Sequence, residues 1–466
     1  MSPRVGSAPF LILLPVVFAC SIERMGGGLS RDASPGQDAS LDRSLIDSRP
    51  SGDTGLPDRS IDPPPPDATV DSTRGCTEGE LRCRDNRQEL CMVDTTWAGW
   101  ECPQGCFDTT RCRRVVPTNV SSNLFEPLAP SVRVSADVTL NTSTCVPPAG
   151  ESWKMMVVTQ LDATETACVL VARQVQIDAG AKLGLTGDQP LIIVSFGPIL
   201  VGGTIDAAAV GPSPGPGGGV AALGEAAAGG PAPGGNGLEE PEDFYDAGGG
   251  GGGMCGSGGR GGSPGGSIAG SAGEAIRSPV EPLRGGSGGG SGSRDGGDGG
   301  AGGGAVQLIS NISIVIRGAI EVSGGGGQGG QIRGAGGAGG SGGAVFLQAP
   351  SVAFEGGGFA RAAGGGGGGG ARFGVGDGQN GQDGSLAADR AQGGPGEPSS
   401  GDGGRGAGGG NANGDNGETS GGNGGGAGGG IGCIFVGNDS GAEPVGRDNN
   451  NPADLPGFAF GALTYE

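Results

Sequence analysis

The side chains able to do chemistry in this sequence are mainly carboxylates and cysteines, because its 466 residues include no histidine. Histidine is the commonest general base and metal ligand, so its absence excludes Ser-His-Asp, Cys-His and histidine–zinc sites. Two carboxylates end matching segments: Asp206 closes GGTID and Glu321 closes RGAIE. If those segments lie side by side, the two carboxylates could share a proton or hold calcium.

Repeating apolar segments would place these carboxylates together. Strand-like runs followed by a turn glycine recur roughly every 22 residues once longer insertions are set aside. The frame aligns three sets of residues: Val169, Leu191, Val306, Val345 and Ile434; Leu183, Ile205, Ile320 and Phe359; Gly203, Gly318 and Gly357. In this frame Asp206 and Glu321 are neighbours, flanked by Gly184 and Ala360.

Such repeats indicate stacked coils, since one coil cannot bury its apolar face alone. The sequence therefore predicts an all-β protein with a short parallel β-solenoid over 130–466. An irregular β-sandwich with matching spacing is the alternative. The pattern resembles the right-handed parallel β-helix of the pectin-lyase-like class, through periodicity and without an invariant motif. The resemblance covers about 168–209, 305–323, 344–362 and 431–437.

Many proteins of that class cut acidic polysaccharides with carboxylates or basic residues on the outer face of adjacent coils. The resemblance therefore makes Asp206 and Glu321 the candidate catalytic residues. Gly184 and Ala360 supply no further reactive group on the flanking coils. We expect Asp206 and Glu321 to be solvated strand-edge carboxylates, and we expect no enzyme activity.

Long glycine-rich insertions interrupt the repeats at about 210–303, 324–343 and 364–430. They begin and end at the same point of successive coils, so all should project from one edge. Three interpretations are open: flexible hydrated loops, packed polyglycine-II or collagen-like strands, and calcium-binding repeats. Flexible loops are favoured, because such segments have little to bury. This interpretation predicts that deletion of 211–303 preserves the fold.

The N-terminal residues predict export. Residues 1–19 contain Arg4 and an apolar run that is too short to span a bilayer and is typical of a signal peptide. The segment VFAC resembles a bacterial lipobox, which makes Cys20 the acylated residue; an ordinary secretory signal is the alternative. Residues 20–73 would then be a lipidated cysteine followed by a disordered Asp/Ser/Pro-rich tether that holds the folded part away from a membrane.

The other ten cysteines predict five disulfides. Six fall within 74–115 and indicate a small disulfide-rich module with fifteen possible pairings: Cys76, Cys83, Cys91, Cys102, Cys106 and Cys112. Zinc would need paired short knuckles, which the spacing lacks, so we expect no metal site. Cys145 precedes Cys168 by about one coil and should stack beside it. Cys255 is then left to pair with Cys433.

The net charge and the overall organisation of the chain limit the classes of partner that the protein could bind. A chain with a formal charge of −21 is not expected to follow a phosphate backbone, which excludes nucleic acid. The succession of lipobox, tether, TTWAGWEC module, VGGTIDAAA-type repeats and glycine insertions resembles the glycine-rich exported lipoproteins of myxobacteria, over nearly the whole chain. That resemblance implies an outer-membrane or cell-surface lipoprotein and supplies no chemistry.

We therefore expect a surface-tethered protein with a structural, adhesive or envelope-matrix role, without cofactor or catalysis. Its lipid anchor would bind the membrane, and its candidate partners are extracellular polysaccharide or other surface proteins. The alternative is a polysaccharide-binding or polysaccharide-cleaving β-helix protein.

Overall fold

The computed structural model describes residues 76–239, 245–265, 267–276, 281–293, 295–385, 390–444 and 458–466. These residues belong to one compact unit, Asp67–Glu466. The predicted signal peptide (1–19), Cys20 and the predicted tether (20–73) lie outside the described residues. Within the described segments, no helix has the length and hydropathy that a membrane crossing requires.

The described residues are β-structure and extended chain, with one 3-10 turn at Ser122–Leu124. Their strands, in chain order, are β1 (Leu81–Arg84), β2 (Arg87–Cys91), β3 (Trp97–Glu101), β4 (Val132–Val134), β5 (Val138–Asn141), β6 (Lys154–Thr159), β7 (Thr166–Ala172), β8 (Val175–Ile177), β9 (Lys182–Thr186), β10 (Leu191–Ser195), β11 (Ile199–Val201), β12 (Thr204–Asp206), β13 (Ala305–Ser310), β14 (Ser313–Ile316), β15 (Ala319–Glu321), β16 (Ala344–Gln348), β17 (Ser351–Phe354), β18 (Phe359–Arg361), β19 (Cys433–Asn438) and β20 (Phe458–Ala462).

These strands form four sheets. A small antiparallel sheet, β1-β2-β3, belongs to the cysteine module. Sheet A has the order β20-β19-β16-β13-β10-β7-β6, sheet B the order β17-β14-β11-β8-β4, and sheet C the order β18-β15-β12-β9-β5. Strands in sheets A, B and C are parallel, except that β6 is antiparallel to β7. The predicted all-β class with parallel sheets is confirmed.

From β7 to β18, the chain visits sheets A, B and C in that order four times. Inward residues from all three sheets, such as Leu170, Ile177 and Leu183, share one core. Sheet A is buried on both faces, because the segment after the cysteine module packs Phe125 and its neighbours against the outward side chains. Strands covered on both faces are continuous apolar runs, and β10 (LIIVS) is fully buried.

The observed register differs from the predicted frame at two strands. Leu191 pairs with Cys168 where Val169 was predicted, and Ile320 pairs with Ala360 where Phe359 was predicted. A frame of fixed repeat length fails because the connections between strands differ in length. Residues 173–174 connect β7 to β8, whereas residues 196–198 connect β10 to β11. The error is one residue, which in a strand exchanges the inward and outward faces.

The C-terminal residues extend sheet A and return to the cysteine module. β20 pairs in parallel with β19 at one edge of the sheet. Farther along, Tyr465 forms a bridge with Val115, and the backbones of Arg114 and Glu466 exchange hydrogen bonds of 2.8 and 3.0 Å. The end of the chain therefore holds the cysteine module against the parallel sheets.

The three glycine-rich insertions pack together, so the flexible-loop interpretation is wrong. Each leaves after a strand of sheet C and re-enters at a strand of sheet A: between β12 and β13, between β15 and β16, and between β18 and β19. Their described residues form extended runs that lead outward and return, and most glycines in these runs are buried. We call this assembly the glycine bundle.

Backbone hydrogen bonds hold the bundle together with a period of three. In the run 248–253, successive N–H groups donate to carbonyl oxygens of three neighbouring runs in turn, so that every third residue faces the same run. The first run receives the bonds Gly248 to Gly262 and Gly251 to Gly259. The second receives Gly249 to Gly336 and Gly252 to Gly339, and the third receives Gly250 to Gly235 and Gly253 to Ala232. A helix of three residues per turn without internal hydrogen bonds directs its amides this way. The arrangement matches the polyglycine-II interpretation.

At many positions only glycine permits the distances between these runs. A Cβ atom added to Gly336 would lie 2.0 Å from the carbonyl oxygen of Gly368, and one on Gly426 would lie 2.0 Å from that of Gly337. A side chain would force the runs apart and break their hydrogen bonds. Because run 248–253 supplies partners to the second insertion, the expectation that 211–303 can be deleted no longer holds.

Polar side chains at every third position complete two further contacts between runs. Their side-chain oxygens accept backbone N–H groups in two ladders. In the first, Asp377 accepts from Ile332 at 2.7 Å, Asn380 from Gly329 at 2.9 Å and Asp383 from Gly326 at 2.7 Å. In the second, Asn413 accepts from Ser257 at 3.0 Å, Asn416 from Arg260 at 2.8 Å and Thr419 from Ser263 at 3.0 Å. A side-chain oxygen thus replaces a neighbouring carbonyl. The first ladder lies in a segment rich in glycine and aspartate, the composition expected of calcium-binding repeats, and Asp377 and Asp383 accept backbone N–H groups there.

Candidate functional site

Asp206 and Glu321 lie side by side on sheet C, as the sequence predicts. Asp206 of β12 pairs with Glu321 of β15, with Gly184 on one side of the pair and Arg361 on the other. Arg361 occupies the place predicted for Ala360, because β18 is shifted by one residue. Glu321 therefore has the cationic Arg361 as its neighbour in sheet C, where the sequence predicted the small apolar Ala360.

The two carboxylates have different surroundings. Asp206 Oδ2 forms an ion pair with Lys182 Nζ, and Asp206 Oδ1 accepts the N–H of Ala208 at 3.2 Å. Glu321 is only 4% exposed; Ser323 Oγ donates to its Oε1, while its Oε2 has no hydrogen-bond partner among the described residues. The expectation of a solvated strand-edge carboxylate is therefore wrong for Glu321.

Burial raises the pKa of Glu321 to about 7, and the charge of Asp206 acts in the same direction. The hydrogen bond from Ser323 and the charge of Arg361 lower this pKa without cancelling the effect of burial. The pair can therefore hold one proton near neutral pH. Glycoside hydrolysis needs two carboxyl groups that reach the scissile bond, and Glu321 is only 4% exposed.

Replacement of this carboxyl tests its protonation in the folded protein. Glu321→Gln is expected to stabilise the protein at pH 8 and to have little effect at pH 4. Because the folded pKa lies above the ordinary glutamate pKa of 4.5, the stability linked to the bound proton is complete below about pH 4.5 and is lost as the pH rises through about 7. The gain at pH 8 should be on the order of 3 kcal/mol, measured by urea denaturation.

The matched control is Glu274→Gln, which changes an exposed carboxylate in the same unit. Its effect on the free energy of unfolding should be small and similar at pH 4 and pH 8. An equal effect of Glu321→Gln at both pH values would show that folding does not raise the pKa of Glu321.

The ten described cysteines form five disulfides. The cysteine module contains Cys76–Cys91, Cys83–Cys106 and Cys102–Cys112, one of the fifteen pairings that the sequence leaves open. Two more bonds are Cys145–Cys168 and Cys255–Cys433, the pairs expected from spacing and elimination. The last bond connects the first insertion to the start of β19.

The sulfur atoms of Cys83, Cys102 and Cys106 lie within 4.8 Å of one another, a spacing that suits metal ligands. All three are in disulfides: Cys83 with Cys106, and Cys102 with Cys112. A metal needs the thiolate form of cysteine. This cluster therefore holds a metal only if its disulfides are reduced.

The outer ends of the glycine runs form a surface that the sequence analysis missed. Outward and return runs meet there in turns, which we call the distal turns: the described parts of 238–245 and 264–268, together with 331–333, 372–375, 398–400 and 420–422. Large apolar side chains at or beside these turns are 46–64% exposed: Leu238, Tyr245, Ile268, Ile332, Phe373 and Val375.

A buried amide connects several distal turns. Asn423, which is 4% exposed, donates through Nδ2 to the carbonyl oxygens of Arg333 and Ala371, the second at 2.8 Å. Its Oδ1 accepts the N–H of Asp246 at 2.9 Å. The guanidinium of Arg333 lies 3.8 Å from the centre of the Phe373 ring. The turns of all three insertions therefore belong to one continuous surface.

The sequence carries a faint signal for these turns. QIR (331–333) and RFGV (372–375) interrupt segments that are otherwise mostly glycine.

Fold and surface together define a disulfide-bonded all-β protein in which parallel sheets carry a polyglycine-II-like bundle. The chain matches no family model, no curated protein and no solved structure.

Proposed function

We propose that this protein is an exported, surface-tethered structural or adhesive protein that presents the distal turns away from a membrane. The observation that carries the proposal is the glycine bundle, whose runs bond to several neighbours and end in exposed apolar side chains. Loops on a rigid support carry binding functions in many proteins. Clusters of exposed apolar side chains are typical of interaction sites.

In this proposal, the parallel sheets are a β-solenoid of the right-handed β-helix type. Four circuits through sheets A, B and C in a constant order support it, as does the parallel pairing of each circuit with the next. Solenoids need capping elements at their ends. The antiparallel β6 and the added β20 lie at the two edges of sheet A and would serve as caps.

Export and anchoring rest on the cysteines. All ten described cysteines are in disulfides, and such bonds persist mainly in oxidising compartments. Cys20 ends the lipobox-like VFAC and would be the acylated residue, with the segment to residue 73 as its tether. The protein would then lie at the bacterial cell envelope, on the outer membrane or the cell surface.

Acylation of Cys20 is expected to decide where the protein is found. The wild-type chain, produced in a bacterium that processes lipoproteins, should incorporate a palmitate analogue and remain with the membrane fraction. Cys20→Ala should lose the label and be released in soluble form, because no lipid then holds it. The measurement is metabolic labelling followed by membrane fractionation. A control, Ser21→Ala, should behave as wild type.

Equal labelling of the Cys20→Ala chain would contradict the lipid anchor.

Catalysis would contradict the structural or adhesive role in a different way. The released chain should liberate no reducing ends from acidic polysaccharides. Liberation that disappears in Asp206→Asn would instead assign the carboxylate pair to a polysaccharide-cleaving enzyme.

A further inference from the structure

We propose that the distal turns form a docking surface for another protein, one that presents apolar side chains together with carboxylates. The inference rests on the proposed adhesive role and names the class of partner. It concerns the six exposed apolar side chains described above and the Arg333–Phe373 pair, which joins a turn of the second insertion to a turn of the third.

The apolar content favours a protein over a polysaccharide. Leu238, Ile268, Ile332 and Val375 are aliphatic and at least 54% exposed. Aliphatic side chains gain free energy when they are covered by other apolar groups, and they offer no hydrogen bond to a sugar hydroxyl. Protein surfaces supply apolar side chains in matching clusters.

The charge of Arg333 indicates what else the partner presents. Its guanidinium lies over the Phe373 ring, and within the described segments no carboxylate makes an ion pair with it. Arginine beside an aromatic ring is a frequent energetic centre of protein interfaces, where it binds carboxylates through two parallel hydrogen bonds. A partner with an Asp or Glu beside its apolar cluster would complete this pair.

A second copy of the chain fits less well. Two copies that met through their distal turns would bring Arg333 and Arg372 against the same cations, and like charges facing one another oppose docking. Each copy also carries a net charge of −21, which adds a repulsion at long range. The expected occupant is therefore a different protein.

The surface is also well prepared for binding. Asn423 fixes the positions of Arg333 and Ala371 from beneath, and Arg372 Nη1 donates to the carbonyl of Pro398 at 2.7 Å. The turns are thus joined before a partner arrives. A preorganised surface loses less conformational entropy on association, which favours affinity.

Phage-displayed random dodecapeptides provide a direct probe. The full chain with Cys20→Ala is immobilised, peptides are selected on it, and each is then tested on Phe373→Ser and Arg333→Glu. We expect peptides that combine apolar residues with Asp or Glu, and a loss of binding of about tenfold or more in both variants. Phe373 is 64% exposed, so its replacement should leave the melting temperature unchanged.

The matched control is Phe107→Ser. Phe107 is 46% exposed and has Arg111 5.3 Å from its ring centre, but it lies in the cysteine module. Peptides should bind this variant like the parent chain. Peptides that bind Phe373→Ser equally well would overturn the proposal. So would a Phe373-dependent signal on a glycan array, or self-association that Phe373→Ser abolishes. Cys20 labelling is scored separately, so a missing anchor and a missing docking surface are distinguishable.

Discussion

Replacement of Gly336 by alanine is expected to destabilise the protein by about 3 kcal/mol or more. The added Cβ would lie 2.0 Å from the carbonyl oxygen of Gly368 and 2.6 Å from its carbonyl carbon, both backbone atoms that cannot turn away. Relief of the clash would separate two runs and weaken the hydrogen bond from Gly368 N to Gly337 O. Overpacked interiors lose roughly 1–3 kcal/mol through strained side chains and backbone shifts, and occasionally more. Urea denaturation of both proteins measures the difference.

The chain contains a matched control for this substitution. Gly421 lies in a distal turn, and a Cβ added there would meet no atom within 4 Å. Gly421→Ala should therefore be neutral, or should stabilise slightly by reducing the entropy of the unfolded chain. If Gly336→Ala were as stable as Gly421→Ala, the glycine runs would be too loosely packed to form a bundle.

The fate of the glycine insertions shows where sequence reasoning fails. Composition favoured flexible loops because hydropathy counts side chains, and these segments have almost none to bury. Their cohesion comes instead from backbone amides and from the close approach that a missing Cβ allows. Neither quantity appears in a hydropathy pattern. The period of three is visible in the run 334–343, where Ala335, Ala338 and Ser341 are buried, but continuous glycine conceals it in runs such as 364–370.

The strands and the carboxylate pair were easier to predict. Recurring apolar runs predicted the strands within 168–209, 305–323, 344–362 and 431–437, and the shared frame, with a glycine before β12 and before β15, predicted Asp206 beside Glu321, as observed. The burial of Glu321 was not predictable from its own strand. It depends on what lies above the sheet, including Arg361, whose side chain reaches the carbonyl oxygen of Ser385 in the third insertion. Contacts of that kind depend on the packing of distant segments.

Removal of the Cys255–Cys433 disulfide is expected to have the largest effect of any disulfide in the described chain. The bond closes a loop of 178 residues, the longest of the five. In the chain-entropy account, a loop of this length contributes at most about 5 kcal/mol by restricting the unfolded chain. The native contacts should survive, because the N–H groups of Cys255 and Gly256 both donate to the carbonyl oxygen of Ile431, at 3.1 and 3.0 Å.

The double variant Cys255→Ala/Cys433→Ala should therefore keep the far-ultraviolet spectrum of the wild type and unfold at a lower urea concentration. The comparison is Cys76→Ala/Cys91→Ala, which opens a loop of 15 residues and should cost about 3 kcal/mol. A smaller loss from the long loop than from the short one would show that the denatured chain keeps the glycine runs associated. In that case the bundle, held by its backbone hydrogen bonds, would persist after the parallel sheets have unfolded.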